Sequence, residues 1–307
     1  LINPSFYWQL NEKRFLTASY TYQDMNNLLM SEAQVSPFGF GSLPRNFSIT
    51  DPSIRPYQGN DHSFYLNYHQ HLNTGWSISH KAAYIDNRYS GSIFWVNEVN
   101  EAKPHILDRS LVLDNMHFQV ASWQSYMQGS FLIGRSRQQL QFGVDVNAKR
   151  SLNRDTWASA AAIYPLDINN PQYQHARPGD GTAYDPIADN SLSDPANRSL
   201  LKLYYVSPYV QNESLLLKER LRISYGLRLT YAHGRGDQYG LQSHREDLVL
   251  SPRLGVNYSL TAESSIYGLF DKSFIPQTGL DQQGQGLRPI HGRSLELGFK
   301  RDFFAGQ

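Results

Sequence analysis

The chain has 307 residues, 28 Lys plus Arg against 27 Asp plus Glu, no Cys, and 13% aromatic side chains. A formal charge of +1 excludes the strongly basic footprint of a nucleic-acid binder, and the lack of Cys excludes disulfide frameworks, thiol nucleophiles and zinc–thiolate sites. No uninterrupted apolar run approaches the roughly 18 residues of a spanning helix, so a helical membrane protein is excluded while a membrane barrel is not. The 20 Tyr and 15 Phe also exceed what a disordered chain carries.

Alternation with a period of two dominates from the first residues onward, and it predicts eleven strands near 3–10, 14–24, 62–72, 76–90, 107–133, 138–152, 200–217, 220–234, 249–259, 264–275 and 293–302. In the second, Leu16, Ala18, Tyr20 and Tyr22 alternate with Thr17, Ser19 and Thr21. In the third, Phe64, Leu66, Tyr68 and Leu72 oppose Ser63, Tyr65, Asn67, His69 and His71. Between 138 and 147 the row Leu140, Phe142, Val144 and Val146 faces away from Gln141, Gly143, Asp145 and Asn147. Farther on, Leu227, Leu229 and Tyr231 oppose Arg222 and Arg228, Leu254 and Val256 oppose Arg253, and Leu295, Leu297 and Phe299 oppose Glu296 and Lys300.

The connections carry a second signal. Short links at 11–13, 73–75, 134–137, 218–219 and 260–263 alternate along the chain with long ones at 25–61, 91–106, 153–199, 235–248 and 276–292. Short turns therefore gather at one end of the strands and long loops at the other. A soluble sandwich has no reason to sort its loops in this way, whereas an outer-membrane barrel has short periplasmic turns and long extracellular loops. The fold class read from these features is all-β, an antiparallel transmembrane β-barrel. One face of each strand meets lipid and the other, bearing Arg222, Arg228, Arg253, Glu296 and Lys300, meets a wet lumen, where Arg222, Arg228 and Arg253 are expected to pair with neighbouring strands. Tyr20, Tyr22, Trp76, Trp123, Tyr225 and Tyr231 are placed to form interfacial girdles.

No His-Glu-x-x-His, Gly-x-Ser-x-Gly, P-loop or dinucleotide motif is present, and the expectation is a protein that is not an enzyme, with no catalytic residue, no metal site and no cofactor of its own. His69 and His71 share a strand face about 7 Å apart by strand rise, but two ligands do not make a site. Asp180, Asp185, Asp189 and Asp194 lack the alternate-residue spacing of a calcium loop, and Arg235-Gly236-Asp237 reads as ordinary hairpin chemistry. Aromatic and basic side chains in the long connections, namely Phe38, Phe40, Trp95, Trp157, Tyr164, Tyr184, Arg235 and Tyr239, are the candidate ligand-binding residues.

Five phrases in the C-terminal third resemble those of TonB-dependent outer-membrane receptors of the ferric-siderophore class. They are Tyr209-Val210-Gln211-Asn212, Gly226-Leu227-Arg228, Ser251-Pro252-Arg253-Leu254-Gly255-Val256-Asn257-Tyr258, Ser273-Phe274-Ile275-Pro276 after Tyr267, and Leu295-Glu296-Leu297-Gly298-Phe299-Lys300. The residues that carry the likeness are Gln211, Gly226, Arg228, Pro252, Arg253, Gly255, Tyr258, Phe274, Pro276, Glu296, Gly298 and Lys300. Asn212 and Leu229 stand where the family pattern has an acid and an aromatic. Residues 120–148 match moderately, and residues 1–110 resemble the family in pattern only.

What the resemblance implies is a barrel of about 22 strands with a plugged lumen. Residues 1–307 are then one incomplete barrel piece, near strands 6 to 16, with the plug domain and closing strands outside it. It also implies a bacterial outer-membrane receptor and transporter for ferric siderophores, energised through TonB, this piece not being competent alone. The iron travels only within the siderophore, and the expected partners are the ferric siderophore, the TonB complex through the plug segment, and outer-membrane lipid, with no nucleic acid. Two rival readings are a passive outer-membrane porin or hydrophobic-substrate channel, and a secreted all-β carbohydrate-binding or carbohydrate-cleaving protein whose loop aromatics stack on sugars.

Overall fold

The computed structural model describes residues 1–27, 38–39, 41–50, 57–72, 75–99, 102–155, 163–173 and 195–303. The strands are β1 (Ser5–Asn11), β2 (Arg14–Asn27), β3 (Tyr57–His71), β4 (Trp76–Val99), β5 (Ile106–Ile133), β6 (Ser136–Asp155), β7 (Ile163–Asp167), β8 (Arg198–Leu216), β9 (Leu221–Gln238), β10 (Leu241–Ser259), β11 (Ser264–Ile275) and β12 (Ile290–Arg301). They form a single sheet in the order β1-β2-β3-β4-β5-β6-β8-β9-β10-β11-β12, with β7 paired to the far end of β5. Every neighbouring pair is antiparallel. All eleven strands expected from alternation are present in their expected order.

The registers show how strictly the two faces separate. One cross-strand row runs Phe6, Ala18, Leu66, Ala82, Trp123, Val146, Val206, Tyr231, Leu248. The row one residue away runs Thr17, Asn67, Lys81, Gln124, Asp145, Ser207. A slip of one residue would exchange these rows, so the register is fixed by the need to keep charge off one face. Among the described residues no second sheet covers the apolar face. Phe142 is 42% exposed and Leu297 80%, among many large apolar side chains left open on a single layer. Open apolar area on this scale is a lipid-contacting surface, not a sandwich interior.

All six expected girdle aromatics lie on the apolar face by register parity. Trp76 stacks on Phe131 near the short-turn end, with ring centroids 6.2 Å apart, and Trp123 stacks on His80 at 6.3 Å. On the wet face Arg228 pairs with Asp145 across from β9 to β6 and lies 5.7 Å from the Tyr209 ring centre. Gln141 donates to Tyr209 at 3.2 Å and accepts from Gln211 at 2.7 Å. Arg228 thus finds a carboxylate partner on the wet face, but two strands away, across β8, and not on an adjacent strand as expected. Arg222 and Arg253 make no ion pair among the described residues, although Asp271 is the register partner of Arg253. Gly298 leaves room for the Tyr267 ring, which covers its backbone and donates to Glu296 at 2.6 Å; a Cβ at Gly298 would sit 2.4 Å from that ring.

The long connections differ from their sequence reading in extent. Residues 235–248, expected as a loop, are mostly the upper halves of β9 and β10, joined at Tyr239 (φ 53°) and Gly240 (φ 83°). Positive φ at both central residues is the two-residue hairpin turn that matches strand twist. Tyr in its first position hid that turn from composition. Likewise β4 continues to Val99, β3 begins at Tyr57, and β7 interrupts the stretch 153–199. These extensions rise beyond the lipid, where both faces are wet and no apolar–polar contrast marks a strand.

Candidate functional site

The long-loop end is where the chain builds its interior. Ile49, Phe94, Leu107 and Leu166 form a small buried core from the segment before β3 and from β4, β5 and β7, with Phe47 and Tyr173 packed on it. Arg109, 1% exposed, lies 4.4 Å from the Phe94 ring centre and donates to the Ile49 carbonyl. Tyr173 donates to the Ser48 carbonyl at 2.9 Å. This cluster clamps 47–50 and 163–173 onto the β4–β5 extension and makes the rim rigid.

The lumen-facing side of the rim is lined by phenols and carboxylates. Asp114 and Asp155 stand directly opposite on β5 and β6. The Tyr239 hydroxyl reaches from the β9–β10 turn to Asp155 at 2.9 Å, and Asn153 donates to the same oxygen at 2.9 Å. Tyr89 donates to Asp61 at 2.6 Å, and the buried Tyr57 lies against Gly91. Asp114 is 19 residues above the turn that follows Ile133, about 48 Å at 3.3 Å per residue and a tilt of about 40°, well beyond the spanning part. Burial, and then the charge of Asp155, push its carboxyl up to about 6. Burial, and then the bond to Asp155, push the Tyr239 phenol up to about 12. A second cover comes from 276–289: Leu287 bonds back to Gly279 at 3.1 Å, and a Cβ at Gly234 would be 3.3 Å from Thr278. The family-motif residue Pro276 opens this segment.

The Asp114 value carries a pH dependence. An acid whose folded value lies above its ordinary 3.8 stabilises the fold most when protonated, and that contribution is lost as pH rises through about 6. Protection of amides 110–118 from hydrogen exchange in the complete protein is therefore expected to be greater at pH 5 than at pH 7.5, after correction for intrinsic rates. Asp114→Asn should flatten the difference. Equal protection at both pH values in the unsubstituted protein would contradict the assignment.

The structure places the candidate ligand-binding residues unevenly. Tyr239 joins the lumen-facing rim. Trp95 lies on β4 within the rim extension, Tyr164 lies on β7 opposite Arg109, and Phe38 is exposed before β3. Arg235 is exposed on the face of β9 that also carries Leu227, Leu229 and Tyr231, turned away from the lumen. Phe40, Trp157 and Tyr184 lie outside the described residues, as do Asp180, Asp185, Asp189 and Asp194. The rim residues that sequence reasoning missed are Asp114, Asp155, Tyr57 and Tyr89, none of which has a local motif; only the cross-strand register unites them.

His69 and His71 sit edge to face, 4.5 Å between ring centres, and His69 contacts Ser79 at 2.8 Å. A three-donor group lies elsewhere: His233, His244 and Glu246 have donor atoms within 4.8 Å of one another on the lipid-side face of β9 and β10. His233 and His244 contact Glu246 at 3.2 and 3.4 Å. Arg235 stands in register with His244, so a positive charge adjoins the group and opposes a cation there.

Residues 5–307 match the family model described as TonB dependent receptor-like, beta-barrel. The chain belongs to this family, whose members are outer-membrane β-barrel proteins, and its single lipid-facing sheet is part of such a barrel. It is 25% identical over its whole length to the metal-pseudopaline receptor of Pseudomonas aeruginosa, covering 42% of that protein. It is 23% identical to the ferrichrome outer membrane transporter/phage receptor of Escherichia coli, with 97% of this chain and 42% of that protein covered. The ferripyoverdine receptor of P. aeruginosa has the same fold, with a TM-score of 0.74 at 16% identity over 99% of this chain and 40% of that one. The chain thus spans about two-fifths of the length of these relatives.

Proposed function

We propose that the complete protein is a ligand-gated importer of ferric siderophores across the outer membrane, energised through TonB by a plug domain supplied by other parts of the molecule. The observation that carries this reading is the family match over 5–307, joined by relatives named as receptors for metal-pseudopaline, ferric-pyoverdine, ferrioxamine B and ferrichrome. In this reading residues 1–307 supply about half of the wall and part of the extracellular mouth. At the rim the phenols of Tyr89 and Tyr239 offer hydrogen-bonding groups to a polar chelate at the entrance, with the buried Tyr57 ring and Asp155 carboxylate packed behind them. Below it Arg222, which makes no ion pair among the described residues, presents positive charge to the lumen, placed to meet acidic groups of the plug or of an anionic chelate, while Arg253 stands opposite Asp271 in register. Neither a secreted sugar-binding protein nor a passive channel finds support: the first has no use for an open apolar sheet face, and the second is not what the named relatives are.

The test is uptake of radioactive iron, presented as defined ferric siderophores, by cells with and without the complete gene in backgrounds with and without TonB. Uptake that needs both is expected. Uptake that persists without TonB, together with steady ion conductance of the purified protein in planar bilayers, would overturn the importer in favour of a passive channel.

A further inference from the structure

On the lipid-facing side, one cross-strand row breaks the rule that neighbouring strands avoid like charges. Arg150 on β6, Lys202 on β8 and Arg235 on β9 are consecutive register partners, about 5 Å apart at their Cα atoms. Like charges directly opposite destabilise a sheet unless an anion lies between them. The carboxylates nearby on that face are all engaged: Asp86 with Arg88 and His117, Asp237 with Arg198, and Glu246 with His233 and His244. Among the described residues Arg150 gains a 3.2 Å bond to the neutral Gln119 amide and no carboxylate, and no described carboxylate pairs with Lys202 or Arg235.

The height of this row is informative. Arg150, Lys202 and Arg235 each lie 14 residues from the short-turn end of their strand. A rise of about 3.3 Å per residue at about 40° of tilt puts them roughly 35 Å above the periplasmic turns, just past the apolar band of about 25 Å. That is headgroup level in the outer leaflet. Immediately below, the next register row reads Tyr84, Ala121, Ala148, Tyr204. Two alanines floor a trough walled by two tyrosines, and Arg150, Lys202 and Arg235 stand at its upper edge. Apolar floor, aromatic walls and a cationic lip follow one another along the membrane normal.

We infer that this trough binds a phosphorylated lipid of the outer leaflet, with phosphate on Arg150, Lys202 and Arg235 and the apolar part lying over Ala121 and Ala148 between Tyr84 and Tyr204. Arginine and lysine together suit this ligand, since the guanidinium can hold two phosphate oxygens and the ammonium adds a point charge. The site is on the outer wall, away from the lumen, and is independent of the cargo.

The experiment uses the complete receptor, purified in neutral detergent and delipidated, and titrated in native mass spectrometry with a bisphosphorylated glycolipid, its dephosphorylated form, and inorganic phosphate. The phosphorylated lipid is expected to bind, with at least a tenfold loss of affinity in the Lys202→Ala/Arg235→Ala double variant and no loss in Arg135→Ala, a basic side chain in a periplasmic turn. Lys202→Gln alone, which keeps the length of the side chain, should lose severalfold and serves if the double variant does not fold. Equal binding of the two lipids, or unchanged affinity in the variants, would overturn the site. Displacement of the lipid by millimolar inorganic phosphate would also overturn it, because the ligand would then be the free anion. These readouts do not involve iron uptake, so failure of the importer reading leaves them interpretable.

Discussion

Val210→Arg in the complete receptor is expected to lower its stability in lipid vesicles by about 2 to 4 kcal/mol, while Gln211→Arg, one residue along the same strand, should change it by about 1 kcal/mol or less. Val210 is 45% exposed on the apolar face and lies six residues above the end of β8, roughly 15 Å from the turn and so near the middle of the hydrocarbon. An arginine there must be solvated by lipid tails or drag headgroups and water inward. Gln211 points the other way, beside Gln141 and Gly226, into a lumen that already holds Arg228 and Asp145. Its substitution loses one amide bond to Gln141 and adds a charge where water can reach it. Urea-induced unfolding in vesicles measures both. Comparable costs for the two variants would mean that the faces do not meet different solvents.

The second large effect concerns the sheet edges. Among the described residues β1 and β12 each pair on one side only, so their outer backbone groups have no partner there. In hydrocarbon each unsatisfied group costs several kcal/mol, and the seven residues of β1 and twelve of β12 expose many of them. A polypeptide of residues 1–307 alone, refolded into vesicles, is therefore expected not to insert and not to show the heat-modifiable gel migration of a closed barrel, whereas the complete receptor should show it. A folded, protease-resistant species from 1–307 alone would require these strands to close on themselves.

The spanning halves of the strands were legible in the sequence because lipid and lumen impose opposite chemistries on alternate residues. Leu140, Phe142 and Val144 against Gln141, Gly143 and Asp145 can satisfy that demand only as a strand. Above the membrane the demand disappears. Residues 235–238 and 241–248 remain in register, yet Arg235, Gly236 and His244 carry no apolar contrast, so a paired hairpin reads as loop. The candidate site was less legible than the fold, for a related reason. Asp114 with Asp155, and Arg150 with Lys202 and Arg235, are joined by register between strands up to 85 positions apart, and no spacing along the chain encodes that. Tyr239 was recognisable as a loop aromatic, but its partner Asp155 was not.

The two-solvent character of the wall can be measured most directly by thiol labelling: residues 1–307 contain no Cys, and any Cys in other parts of the complete receptor is first replaced by Ser. Single cysteines introduced one at a time from 139 to 147 in the complete receptor, spin-labelled in vesicles, would report their collision rates with oxygen and with a water-soluble nickel chelate. Strict alternation is expected, with positions 140, 142, 144 and 146 favouring oxygen and 141, 143, 145 and 147 favouring the chelate. Loss of that period, or labels at 140, 142 and 144 shielded from both reagents, would contradict a wall with lipid on one side and water on the other.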